Sequence, residues 1–172
     1  MWSAALFACI PRLQTHGGVD VFAPGEGFGV DDVAPDFTLG DQNDITHSLS
    51  QYRGSVVLLD VSTIWCAPCQ ALAESTQATA DKFRNEGFVY VTILQEDVEG
   101  GDVDLADLNL WGDTFGIVEP ILDDSKDPRK LGAAVVDGEF PAVLVVDRDG
   151  IVVKRVETPN AALVDAAVEA AL

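Results

Sequence analysis

Residues 56–69 have the sequence VVLLDVSTIWCAPC, in which an apolar run leads to two cysteines three positions apart. A continuous run of Val and Leu is typical of a strand that is covered on both faces of a sheet. If Cys66 opens the next helix, Cys69 lies almost one turn later on the same face, where Cβ atoms are about 5–6 Å apart. A disulfide requires about 3.5–4.5 Å, which a modest adjustment of the first turn provides. The stretch therefore predicts a buried strand followed by a helix that begins at a redox-active pair of thiols.

The predicted helix start favours the thiolate form of Cys66, because unpaired backbone N–H groups and the positive end of the helix dipole stabilise an anion there. The thiolate is the form that attacks disulfides. Pro68 fits in a first helical turn, where its missing N–H loses no intrahelical hydrogen bond. We therefore expect Cys66 to form a mixed disulfide with the substrate and Cys69 to attack and resolve it.

A zinc site and an inert structural disulfide are the two other uses of a cysteine pair at this spacing. A tetrahedral zinc site needs two further Cys or His ligands. The other Cys and His residues are Cys9, His16 and His47, all N-terminal to the pair and none in a paired ligand spacing. Three cysteines are also too few for a disulfide-rich scaffold. The pattern favours a catalytic pair, and we predict no metal and no cofactor besides the disulfide itself.

The charge balance bears on the class of partner. The chain has 172 residues, of which 29 are acidic and 10 are basic, and its formal net charge is −19. Such a charge repels phosphate backbones and anionic lipid surfaces, so we predict no nucleic-acid partner.

The hydrophobic content of the chain, 48%, suits one domain with a sizeable core. We also predict no integral membrane span, because no stretch approaches about 20 consecutive apolar residues.

The first 30 residues differ from the rest, with a short apolar start followed by a stretch rich in Gly and Pro. We predict a tail or tether over 1–30 and a folded domain over 31–172. Residues 6–9, LFAC, resemble the end of a bacterial lipoprotein signal, in which the cysteine carries the lipid anchor. Only eight residues precede Cys9 and none is Lys or Arg, so the charged start of such a signal is absent. Whether Cys9 is a lipid anchor or incidental stays open.

Strand and helix patterns alternate along the predicted domain. We predict strands over 36–39, 55–62, 88–94, 118–122, 142–146 and 151–156, and helices over 67–83, 105–115, 127–133 and 160–172. In the first helix, Leu72, Ala73, Thr76 and Ala80 are spaced for a buried stripe. The sequence Asp-Arg-Asp-Gly at 147–150 predicts a hairpin turn, and Thr158 is the predicted cap of the last helix. Such alternation indicates an α/β fold with a central mixed sheet flanked by helices.

In the order of these elements, the chain over 33–172 resembles the TlpA/ResA-like redoxins, which are thioredoxin-fold proteins of the AhpC/TSA superfamily. The resemblance is carried by APDFTL at 34–39, LSQYRG at 49–54, VVLLD at 56–60, the pentapeptide WCAPC at 65–69 and Phe140-Pro141 before a strand. It implies a thioredoxin-like fold with an N-terminal β extension and an inserted helical segment near 103–116. It also implies a thiol-disulfide oxidoreductase that acts on protein thiols or disulfides and has an upstream redox partner.

The resemblance also implies roles for residues around the pair. Pro141 matches the cis-proline beside the cysteines, where the exposed backbone can hold a substrate strand; the alternative is an ordinary trans-proline that starts a strand. Asp60 matches the buried acid of thioredoxin itself, whereas TlpA-like relatives often have Asn at this position. We expect its pKa to be raised and its carboxyl group to relay a proton to or from Cys69; the alternative is a solvated or hydrogen-bonded aspartate at a strand break. Trp65 is expected to pack beside the disulfide and shape access to it, or else to be a core aromatic.

Two departures from the pattern affect the chemistry. Gln70 stands where these families usually have Lys or Arg, and the loss of that cation in an acidic chain raises thiol pKa values. Ser62 replaces an aromatic residue common in thioredoxin. The reduction potential and the direction of electron flow therefore stay open. The resemblance and residues 6–9 favour an extracytoplasmic site, periplasmic or lipid-anchored, whereas the literal N-terminus leaves a cytoplasmic one open.

Two competing functions differ in how they would use Cys66. A peroxiredoxin would use Cys66 against peroxides, and Thr63 fits that motif, but Leu59 stands where the motif has Pro. A Sco-like copper module has C-x-x-x-C and a distant downstream His, whereas no His follows Cys69. We therefore expect dithiol exchange, with thiol peroxidase as the first alternative and copper binding as the second.

Overall fold

The computed structural model describes residues 22–125, 131–132 and 139–172. These residues form a five-stranded sheet, a two-stranded hairpin and three long helices. The strands are β1 (Thr38–Gly40), β2 (Thr46–Ser48), β3 (Val56–Ser62), β4 (Phe88–Leu94), β5 (Ile121–Asp123), β6 (Ala142–Val146) and β7 (Val152–Val156), and the helices are α1 (Ala67–Phe83), α2 (Leu105–Phe115) and α3 (Ala161–Ala171). Short 3-10 turns cover Leu49–Tyr52 and Arg84–Glu86.

The five-stranded sheet is mixed and has the strand order β5-β4-β3-β6-β7. Strands β3, β4 and β5 run parallel, while β6 pairs antiparallel with β3 and β7 antiparallel with β6. All seven residues of β3 are buried, as expected for a central strand covered on both faces. The predicted α/β class and mixed sheet are confirmed.

Separate hydrophobic layers cover the two faces of the sheet. On one face, α1 and α3 pack on residues such as Leu58, Tyr90 and Val143. The predicted stripe on α1 is confirmed, because Leu72, Ala73, Thr76 and Ala80 are all buried. On the other face, residues N-terminal to β3 cover the sheet. Their buried members are Phe28, Ala34, Phe37, Leu39 and Leu49.

The predicted boundary between tail and domain near residue 30 stays a prediction, but part of the predicted tail packs on the domain. Phe28 is buried in the core and Phe22 packs edge-on against it, with ring centroids 5.6 Å apart. Apolar contact of this kind holds the segment from Phe22 onward against the sheet. Cys9 and His16 lie outside the described residues.

The bounds of β4, β6, α1 and α2 match those that the sequence predicts, while the bounds of other elements differ. Strand β1 begins two residues later than predicted and pairs with β2, which was not predicted. Strand β5 begins three residues later than the strand predicted over 118–122. Residues 131 and 132 are helical, and the rest of the helix predicted over 127–133 lies outside the described residues.

The predicted cap of the last helix is wrong. Helix α3 begins at Ala161, so the extended residue just before its first turn is Asn160, whose side chain accepts the Leu163 N–H. Thr158 lies two residues further out and has a positive φ of 44°. A cap acts only at the residue that flanks the first turn, which is why Asn160 takes this role.

No helix in the described part of the chain is both long and apolar enough to cross a membrane.

Candidate active site

Cys66 and Cys69 form a disulfide at the N-terminus of α1, with their Cα atoms 5.2 Å apart. Cys66 is the cap residue of the helix, and its Sγ accepts the Cys69 backbone N–H at 3.3 Å. The predicted helix start at the pair is therefore confirmed. Both side chains are buried, but Cys66 retains 4% exposure whereas Cys69 has none. Cys66 is the sulfur that faces the outside of the site.

The chain turns sharply between β3 and α1, and hydrogen bonds hold this turn. The Cys66 N–H donates to the Thr63 carbonyl at 3.3 Å, and the Gln70 N–H donates to the Cys66 carbonyl at 3.1 Å. The Gln70 side chain also donates to the Ile64 carbonyl at 2.7 Å. At the position where the family resemblance predicts a cation, this chain thus has a neutral amide that ties the first turn of α1 to the preceding loop. Pro68, exposed, is the second residue of the helix, where it loses no intrahelical bond.

Trp65 lies at the rim of the site, next to Cys66 in the chain, and its side chain is 48% exposed. Its indole N–H donates to Glu96 Oε2 at 2.7 Å, and its ring meets Phe140 edge-on with centroids 6.0 Å apart. This exposure excludes the alternative of a core aromatic. Sequence reasoning did not identify Glu96, because it is one of several acidic residues after β4 and only the fold shows which one meets the indole.

The Phe140–Pro141 peptide bond is cis. Strand β6 starts at Ala142, which pairs with Val61 of β3, so Pro141 lies beside the end of β3 that leads to the cysteines. Phe140 packs against the hydrophobic cluster that contains both cysteines. The antiparallel pairing of β3 with β6 therefore brings the distant residues 140 and 141 to the pentapeptide.

Asp60 lies on β3 beneath α1 and is only 1% exposed. Its Oδ1 accepts the Ser62 hydroxyl at 2.7 Å, and its Oδ2 accepts the Tyr90 hydroxyl at 3.1 Å. Burial raises the pKa of Asp60 to about 6, while the two hydroxyl donors oppose this rise. The burial excludes a solvated aspartate. Sequence reasoning assigned no contact to Tyr90 and treated Ser62 only as the loss of an aromatic ring. The spacing of two positions along a strand could have linked Ser62 to Asp60, whereas no signal in the sequence links Tyr90 to Asp60.

The inserted helix α2 contributes the apolar surroundings of the disulfide. Leu108 and Trp111 of α2 and Val103 before it belong to the same buried cluster as Cys66 and Cys69. An environment of this kind has a low dielectric constant, which strengthens hydrogen bonds and increases the cost of a buried charge. The site thus combines a disulfide, a buried carboxyl group and a half-exposed tryptophan. In the described ranges, no group of three or more His, Cys, Asp or Glu residues could hold a metal ion.

Comparison with known proteins agrees with this site. Residues 30–155 match the family model described as AhpC/TSA family. The thiol-disulfide oxidoreductase ResA of Geobacillus kaustophilus is 31% identical over 150 residues, which cover 87% of this chain and 82% of that protein.

Two solved structures resemble the fold. The thioredoxin domain of a thiol-disulfide oxidoreductase from Bacteroides vulgatus superposes with a TM-score of 0.70 at 20% identity, covering 83% of this chain and 96% of that one. A secreted disulfide oxidoreductase of Mycobacterium tuberculosis gives a TM-score of 0.64 at 20% identity, with coverage of 78% and 95%. At these identities the likeness shows the thioredoxin fold, and the ResA match and the family model show the family. The chain belongs to the AhpC/TSA family and is a ResA-like redoxin.

Proposed function

We propose that this chain is a thiol-disulfide oxidoreductase that exchanges disulfides with protein substrates, with Cys66 as the attacking thiol and Cys69 as the resolving one. The observation that carries the proposal is the disulfide between the cap residue of α1 and the third residue of that helix. The Cys69 N–H already points at the Cys66 sulfur, so it would stabilise a thiolate there. The greater exposure of Cys66 supports the same assignment, because an incoming disulfide must reach the sulfur it reacts with.

In the reduced protein, the Cys66 thiolate attacks one sulfur of a substrate disulfide, and the other substrate sulfur leaves as a thiolate that takes up a proton. Cys69 then loses its proton and attacks Cys66, which breaks the mixed disulfide and releases the second substrate thiol. Two electrons pass from the protein to the substrate, and the Cys66–Cys69 disulfide forms. The reverse sequence oxidises a substrate dithiol, so the same residues serve either direction.

Asp60 is the proposed proton acceptor for Cys69. Cys69 is fully buried, so its ionisation in apolar surroundings is costly without a nearby base. Because burial raises the pKa of Asp60 to about 6, its carboxylate can take up and return a proton near neutral pH. Pro141 is the proposed docking point, because it lies beside the end of β3 that leads to the cysteines and its backbone there would hold an extended segment of the substrate.

The test uses two cysteine variants. Cys69→Ser should accumulate mixed disulfides with an oxidised protein substrate, because the resolving thiol is missing. Cys66→Ser should abolish exchange. The measured quantity is the rate at which the protein reduces insulin disulfides, with dithiothreitol as the electron donor. Equal insulin reduction by the wild type and Cys66→Ser would refute the proposal. Peroxide consumption and copper titration of the reduced wild type, run alongside, separate dithiol exchange from peroxidase activity and copper binding.

We further propose an extracytoplasmic location and an upstream protein that resets the redox state of the pair. The location is supported by the similar fold of a secreted disulfide oxidoreductase and by the stability of disulfides in oxidising compartments. Fractionation of the native host, followed by immunoblotting of each fraction, tests it. Recovery of the protein only with cytoplasmic markers would overturn the proposed location without affecting the proposed chemistry.

A further inference from the structure

We infer that Ser62 and Tyr90 are positioning residues, which hold the Asp60 carboxyl group between two hydroxyl donors and thereby set the pH at which Cys69 resolves a mixed disulfide. The effect on Cys69 rests on the proposed function. The arrangement of Asp60, Ser62 and Tyr90, which we call the hydroxyl clamp, is a property of this chain's own residues.

The clamp is built by the strand pattern. Ser62 follows Asp60 by two positions on β3, so their side chains share one face of the sheet. Tyr90 lies on the adjacent parallel strand, where it pairs with Leu58, and its hydroxyl reaches the second carboxylate oxygen. Each oxygen thus accepts one hydroxyl, at 2.7 Å from Ser62 and 3.1 Å from Tyr90. The three side chains are no more than 1% exposed, so water does not compete for these bonds.

No cation in the described part of the chain contributes to the charge state of Asp60, which is governed by burial and the two hydroxyls. Strand β6 places Val143 opposite Asp60, and α1 covers this face with Leu72 and Thr76. Among titratable groups, Tyr90 of β4 contacts the Asp60 carboxyl group directly, and Cys69, in the first turn of α1, is fully buried. The two hydroxyls are therefore the groups that favour the carboxylate form against the cost of burial.

Tyr90 is suited to be a permanent donor. Burial, with the Asp60 charge as a second cause, raises the pKa of Tyr90 well above its usual value, so its hydroxyl keeps its proton across the working pH range. Tyr90→Phe therefore removes one hydrogen bond and leaves the ring in place. Since a hydroxyl donor stabilises the carboxylate more than the neutral acid, its loss should move the titration midpoint of Asp60 upward by about one pH unit.

The first experiment measures Asp60 directly, by NMR titration of its ¹³C-labelled carboxyl group in the full chain. The variants are Tyr90→Phe and Ser62→Ala, with Ser62→Thr as the variant that restores a hydroxyl. The matched control is Thr92→Val. Thr92 is the β4 residue that pairs with Asp60, it is buried, and its hydroxyl has no hydrogen-bond partner among the described residues. The midpoint should rise in Tyr90→Phe and Ser62→Ala and stay near the wild-type value in Ser62→Thr and Thr92→Val.

The second experiment measures the pH profile of the step that Cys69 performs. Cys66 is converted to a mixed disulfide with glutathione, and release of glutathione is followed by rapid quench. The inference predicts that the profile of each variant moves in the same direction as its carboxyl titration. A carboxyl midpoint that does not move in Tyr90→Phe and Ser62→Ala overturns the clamp. A midpoint that moves while the release profile stays fixed overturns its link to Cys69.

These outcomes are distinct from failure of the proposed function. If the wild type releases no glutathione and reduces no protein disulfide, the proposed function fails, while the carboxyl titration still decides whether the clamp exists. Correct folding of each variant is visible in the same NMR spectra.

Discussion

Replacement of Asp60 by Asn tests the electrostatics of the site through stability alone, without any substrate. The side chain keeps its size, and the Asn oxygen can still accept a hydroxyl from Ser62 or Tyr90, but it can no longer ionise. In the wild type, burial raises the pKa of Asp60 from 3.8 to about 6. The folded protein therefore holds a proton that the unfolded chain releases in this pH window.

Linkage between folding and protonation gives the sign and the size of the change in unfolding free energy. Between these two values the folded state binds more protons than the unfolded state, so its stability falls as the pH rises, and the loss is complete above the folded-state value. A difference of about two pH units corresponds to about 3 kcal/mol of unfolding free energy. Asp60→Asn should lack this loss. Relative to the wild type, the variant should gain about 3 kcal/mol between about pH 4 and about pH 8.

The assay is urea denaturation of the oxidised proteins at a series of pH values, and the quantity compared is the difference in unfolding free energy between variant and wild type. The other acidic residues contribute to both proteins and cancel to first order. Asp149→Asn is the control, since it makes the same substitution at an exposed position. A difference for Asp60→Asn that stays constant with pH, or that matches the Asp149→Asn difference, would refute the reasoning.

Three further predictions concern other parts of the molecule. Asn160→Ala should lower stability by about 1 kcal/mol in thermal unfolding, whereas Thr158→Ala should not, because Asn160 caps α3; equal losses would contradict the cap assignment. Glu96→Ala should shift the Trp65 indole N–H resonance in NMR spectra while Glu96→Gln, which keeps an acceptor oxygen, should preserve it; identical spectra would show that the hydrogen bond is absent. Alkylation of reduced Cys66 by iodoacetamide should accelerate with added salt, because salt screens the repulsion between a thiolate and a chain of net charge −19; a slower reaction would point to a neighbouring cation.

The elements that could be predicted from sequence are those whose own residues determine them. Strand β4 is a continuous apolar run, and helix α2 has apolar residues at helical spacing and a capping box at Asp104, so the bounds of both follow from local sequence. Strand β2 has only three residues, Thr-His-Ser, and none of them is fully buried. Its pairing with β1 depends on the hairpin that docks at β5, where Asp41 bridges to Leu122, and such a strand has no periodic signal of its own.

The same distinction between local sequence and long-range pairing applies to the residues of the site. The cysteine pair and the start of α1 follow from the pentapeptide, because residues three positions apart in a helix are neighbours whatever the rest of the fold does. The contacts of Asp60 and Trp65 cannot be obtained in this manner. Tyr90 and Glu96 lie 30 and 31 residues from their partners, and their side chains meet them only because β4 runs parallel beside β3. Predicting a contact between side chains on paired strands requires the register of that pairing, and the sequence patterns do not give this register.

The apolar cover from α2 gives a reason for the site to hold both an acid and a buried thiol. If Cys69 ionised while Asp60 was already a carboxylate, two negative charges would share a buried layer, which is costly at low dielectric constant. If the Cys69 proton moves to Asp60 instead, the layer carries one negative charge before and after the transfer. In the proposed mechanism the carboxyl group therefore relocates a charge that the fold already accommodates. Its two neutral hydroxyl donors suit this role, because a fixed cation would hold the carboxylate ionised and prevent it from accepting the proton.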